Sequence, residues 1–164
     1  MRGAESDKDG DVQPVRGPRV MLYSHDTFGL GHLRRSRALA QAITAADPAA
    51  SALILTGSPV AGRFDFPARV DHVRLPGVTK RHDGSYISQT LGMDIEETAE
   101  LRAGLIRSTA RQYDPDILIV DKEPTGFRGE LLPTLEMLRA RRATLAIGFA
   151  YAAQQADALP LEPT

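Results

Sequence analysis

A histidine that directly follows a Gly-x-Gly step is well placed to do chemistry, and this 164-residue chain has one at His32. The step, Gly29-Leu30-Gly31, joins the apolar run over residues 19–23 to a helix-like run that starts near Gly31. Neither glycine carries a Cβ, so the backbone at Gly29 and Gly31 can turn tightly and lie close to a ligand. The unpaired N–H groups of a new helix favour an anion above the strand end. An imidazole there can take a proton near neutral pH, which makes His32 a candidate general base. A plain tight turn in which His32 caps its own helix is the competing reading. Arg34 stands where a dinucleotide fingerprint needs its third glycine, which disfavours a nicotinamide or flavin site. Arg34 and Arg35 also oppose the helix dipole in the first turn, a conflict that an anionic ligand would relieve.

Other chemistry-bearing residues lie at the ends of other apolar runs. Asp121 and Glu123 follow Ile117-Leu118-Ile119-Val120, where a carboxylate could orient His32 or bind ligand hydroxyls. Lys80 and Tyr86 sit in a polar stretch over residues 78–86 that reads as a loop, and they could line a substrate site or equally be plain solvated surface. Lys122 reads as a surface partner of the flanking acids. His25 and Asp26 are adjacent in sequence and make poor chelators without further ligands, so no metal is expected. No cofactor is implied.

These residues need elements to position them. Residues 20–23, 52–56, 70–75, 117–120 and 143–149 read as strands. Residues 32–46, 94–113 and 131–141 read as helices, the second with Leu101, Leu105 and Ile106 at helical spacing. Alternating strands and helices predict an α/β fold, a Rossmann-like three-layer domain with a mostly parallel sheet. Right-handed crossovers would bring every strand's carboxyl end to one edge, where ligands bind in such sheets.

Composition narrows the classes. A net charge of −1 gives no reason to expect a nucleic-acid partner, and zero cysteines exclude a disulfide framework. No apolar run reaches the roughly 18 residues that span a bilayer. Residues 1–18 are polar without an apolar signal core, and read as a disordered leader of a cytoplasmic protein.

Three separated motifs, in order, carry a resemblance: Ser24-His25-Asp26-Thr27-Phe28-Gly29-Leu30-Gly31-His32, then Leu75-Pro76-Gly77-Val78-Thr79-Lys80, then Val120-Asp121-Lys122-Glu123-Pro124 with residues 126–135. Together they resemble a bacterial family of predicted glycosyltransferases, distantly similar to the MurG-like enzymes of the GT-B fold. The resemblance implies that residues 19–149 are the amino-terminal, acceptor-side half of a two-domain enzyme. Its donor would be a nucleotide sugar and its acceptor a carbohydrate or lipid-linked molecule, with peripheral membrane contact one option. A similar turn in a nucleotide-sugar hydrolase uses the matching histidine as a base, which implies that role for His32, with Arg35 at the arginine position. Residues 150–164 depart from the family pattern and read as an atypical tail of a truncated product. The expected function is hexosyl transfer, inactive in this half alone. A nucleotide-sugar hydrolase or epimerase, and a non-catalytic binding fragment, are the alternatives.

Overall fold

The computed structural model describes residues 16–26, 31–141 and 144–147. The expected leader (residues 1–15 of it), the tail at 150–164 and Gly29 lie outside the described residues. The chain already joins the fold at Arg16, three residues before its first strand. The Arg16 guanidinium bonds both carboxylate oxygens of Asp116 at 3.0 Å, and Pro18 O accepts from Ser51 N at 2.9 Å.

Five parallel strands form the sheet: β1 (Arg19–Ser24), β2 (Ser51–Thr56), β3 (Val70–Arg74), β6 (Ile117–Val120) and β7 (Thr144–Ile147), in the order β3-β2-β1-β6-β7. Central β1 pairs Tyr23 with Leu55 of β2 on one side and with Val120 of β6 on the other. Side chains alternate faces along a strand, and the core divides accordingly. Val20, Leu22 and Ile54 pack with Leu33 and Ala40 of helix α1 (Gly31–Ala46). Met21, Tyr23, Leu55, Leu118 and Val120 pack against the opposite layer. That layer is α2 (Ile95–Tyr113), through Ile106 and Ala110, and α3 (Leu132–Ala140), through Leu138. From Val20 onward every β1 residue is buried, as a strand covered on both faces must be.

The chain adds β2 and β3 on one side of β1, then returns through α2 to place β6 on the other. The order therefore reverses between β1 and β6, and that switch point opens the crevice where doubly wound sheets hold ligands.

Two expectations need correction. The stretch over 78–86 is not simply a loop: β4 (Val78–Lys80) and β5 (Tyr86–Ser88) form an antiparallel hairpin with Lys80 opposite Tyr86. Each strand has only three residues and no apolar alternation, so the pattern that marks strands is missing. The face that α2 buries is also not the leucine face. Leu101 and Leu105 are exposed, while Thr98, Arg102, Ile106 and Ala110 are buried at four-residue spacing. A capping box fixes the start of α2, with Asp94 accepting from Glu97 N at 2.8 Å, and Asp114 ends it in the left-handed conformation ahead of Pro115.

Candidate functional site

Two side chains one turn apart on α1 converge on a single carboxylate. His32 and Arg35 are separated by three residues, so they share a helix face. Asp121 is the first residue after β6, and its N–H continues the ladder onto Tyr23 O at 3.0 Å. The His32 Nδ1 lies 2.8 Å from Asp121 Oδ2, and Arg35 Nη1 donates to Asp121 Oδ1 at 2.8 Å. Only 8% of the Asp121 side chain is exposed. The cluster therefore bridges β1 and β6 at the switch point.

This geometry sets the chemistry of the imidazole. Burial pushes the Asp121 carboxyl up, but the hydrogen bond and charge of His32, with Arg35 behind them, outweigh burial and hold it below the ordinary carboxylate range. An ionised carboxylate can only accept, so Nδ1 carries a proton, and a neutral imidazole in this position would present its lone pair at Nε2. Arg35, expected to meet an anionic ligand, donates from Nη1 to Asp121, with 37% of its side chain exposed. Among the described residues nothing lies within 4 Å of where a Gly31 Cβ would be.

Beside this cluster lies a groove of about 480 Å³. Lys80, Tyr86 and Glu123 line it together, and His25, Lys122 and Arg128 complete its polar wall. The His25 ring stands 5.8 Å from that of His32 and links the groove to the dyad. Burial, then the neighbouring His32, lowers the pKa of His25, so it is neutral at pH 7. Lys122 does not pair with the flanking acids: it forms no salt bridge among the described residues, and its backbone is left-handed with φ 70°. Asp26 accepts at Oδ2 from the hydroxyls of Ser24 and Thr56 and so ties the ends of β1 and β2, while its Oδ1 is buried without a hydrogen-bond partner among the described residues. Among the described residues no three potential metal ligands cluster.

A buried network that the sequence reading missed holds the groove's rim. Arg102 donates from Nε to Glu130 Oε2 at 2.6 Å and from Nη2 to Glu130 Oε1 at 2.7 Å, with neither side chain exposed. Its Nη1 reaches Pro76 O at 2.6 Å, just before β4. Tyr23 donates its hydroxyl to Glu130 and accepts from Phe127 N at 3.1 Å. The hairpin and the 123–130 turn are thus pinned to β1 from beneath. The available signal was an arginine in the i, i+4 register of Thr98, Ile106 and Ala110 on α2.

No family model and no curated protein matches the chain. Among solved structures, the fold is similar to a UGT transferase from Siraitia grosvenorii in complex with UDP, with a TM-score of 0.50 and 13% identity. The likeness covers 80% of this chain and 27% of that one, so the chain spans about a quarter of its structural neighbour. The likeness is one of fold alone, a Rossmann-like α/β domain. No described helix is long and apolar enough to cross a membrane.

Proposed function

We propose that this chain is the acceptor-side half of a glycosyltransferase of the MurG-like kind, moving a hexosyl unit from a nucleotide sugar to an acceptor hydroxyl. The observation that carries this reading is the His32–Asp121 pair at the switch point of a GT-B-like half. Nε2 of His32 takes the acceptor proton as the hydroxyl oxygen bonds to the anomeric carbon. The bond from that carbon to the donor phosphate breaks, and the nucleoside diphosphate leaves with the electron pair. Asp121 keeps Nδ1 protonated and offsets the imidazolium as it forms, the role a buried carboxylate plays behind a catalytic histidine. A second domain would bind the donor and neutralise the leaving diphosphate. The UDP bound by the Siraitia neighbour supports a nucleotide-sugar donor.

The same dyad could activate water, which is the hydrolase alternative. The groove of about 480 Å³ beside His25 favours transfer, because it offers room for an acceptor far larger than water. The test is His32→Ala in a two-domain form. It should lower kcat by about 10²-fold or more, the scale of a lost general base, with donor affinity nearly unchanged. Loss confined to KM would assign His32 to uniform binding instead. Nucleotide release at the same rate with and without an acceptor would favour hydrolysis.

A further inference from the structure

Lys80 ends β4 and Lys122 lies in the turn after β6, yet both line one groove. Neither ammonium group has a carboxylate partner among the described residues. The third cation of the wall, Arg128, is already paired with Glu96, and Glu123 is the one acid lining the groove. The groove thus keeps a positive excess on a chain whose net charge is −1. Lys122 also takes a left-handed backbone with φ 70°, a conformation unfavourable for a non-glycine residue and one that clusters at ligand sites. Lys80 holds its Nζ 5.8 Å from the centre of the Tyr86 ring, and Tyr86 meets Phe127 edge-on at 5.0 Å. That gives the groove one aromatic wall beside its two cations.

We propose that this groove binds an anionic group of the acceptor, a phosphate or carboxylate near the hydroxyl that reacts, with Lys80 and Lys122 as its two charged contacts. The assignment to the acceptor rests on the glycosyltransferase reading; the anion site itself does not. Lysine binds such oxygens as a point charge without the fixed fork of arginine, so the pair sets charge preference more than shape. His25 lines the groove and its ring stands 5.8 Å from that of His32, so the groove lies on the side of the base.

The test titrates the 164-residue chain with inorganic pyrophosphate, with glucuronate and with neutral glucose, read by amide shifts in NMR and by calorimetry. Pyrophosphate and glucuronate distinguish the two anion chemistries, and either should bind at least about 10-fold more tightly than glucose, a difference that weakens with salt. Lys80→Gln and Lys122→Asn should each weaken the anion about 5- to 10-fold. Asparagine suits the left-handed position, so the second variant keeps the turn. Glu123→Gln should tighten anion binding, a gain that misfolding cannot produce. Equal affinity for glucose, or an anion affinity unchanged in the double lysine variant, overturns the proposal. Binding needs neither donor nor second domain, so anion binding by this chain with no transfer by a two-domain form refutes the enzyme reading alone. Transfer with an unchanged KM for a charged acceptor in the double variant refutes the anion site alone.

Discussion

Replacing Glu130 by glutamine should unfold this domain far more readily than a one-atom change suggests. The two side chains are nearly isosteric, so no cavity forms. Glu130 accepts from three donors: Arg102 Nε at Oε2, and Arg102 Nη2 with the Tyr23 hydroxyl at Oε1. Glutamine has one acceptor oxygen, so its NH2 must face at least one of those donors. The Arg102 charge, with none of its side chain exposed, also loses its counterion. Breaking a buried pair from one side typically costs about 3–5 kcal/mol, because the remaining charge is stranded away from water. A domain has roughly 5–15 kcal/mol in total, so this is a large share.

Urea unfolding followed by circular dichroism measures it. With a slope near ~2 kcal/mol per molar, a loss of about 4 kcal/mol lowers the midpoint by about 2 M. Removing both charges, as Arg102→Met with Glu130→Leu, should recover most of the loss, since no buried charge remains. A single variant that loses under about 1 kcal/mol, or a double variant no more stable than the single, would refute the claim that stranded charge dominates.

Asp121→Asn should lower kcat of a two-domain form by about 10³-fold with little change in KM, because an amide no longer selects the Nδ1–H tautomer of His32; activity within threefold of wild type would remove Asp121 from its orienting role. Gly126→Ala should destabilise by about 1–3 kcal/mol, since Gly126 has φ 73° and ψ −174°, a region open essentially to glycine alone. Its new Cβ would stand 2.8 Å from the Tyr23 hydroxyl and 2.9 Å from Leu131 Cγ, and an unchanged melting temperature would show that the turn relaxes freely. Stability should fall in two acid stages. Burial lowers the folded pKa of His25, so its contribution is complete above the unfolded value of about 6.5 and is lost as pH drops through the folded one. Asp121, held low against burial by His32 and Arg35, contributes fully above about pH 4 and is lost below it. His25→Gln should abolish the first stage only, and a urea midpoint that rises between pH 7 and 5 in wild type would contradict this.

The layers and the strand order's broad class were legible in the residues, because apolar periodicity reports which faces must leave water. A short apolar run such as Ile117–Val120, bounded by turn residues, suits a strand of a parallel sheet, and the Asp94–Glu97 capping box marks a helix start locally. His32, Arg35 and Asp121 were identifiable as candidates for the same reason: strand ends and helix starts are local features. A carboxylate orienting His32 was one reading of the strand ends, but that Asp121 and not Glu123 takes the place, with Arg35 on the same group, was not legible. His32 and Asp121 are 89 positions apart, and their contact depends on β6 adding beside β1 and not beyond β3. The leucines of α2 misled because hydrophobicity alone suggested their burial. Arg102 took the buried face instead, which is tolerable only because Glu130, from a distant turn, supplies its counterion there. Local chemistry chose the elements and nominated the reactive groups, while long-range pairing decided which charges are buried together and therefore which of those groups can act on one another.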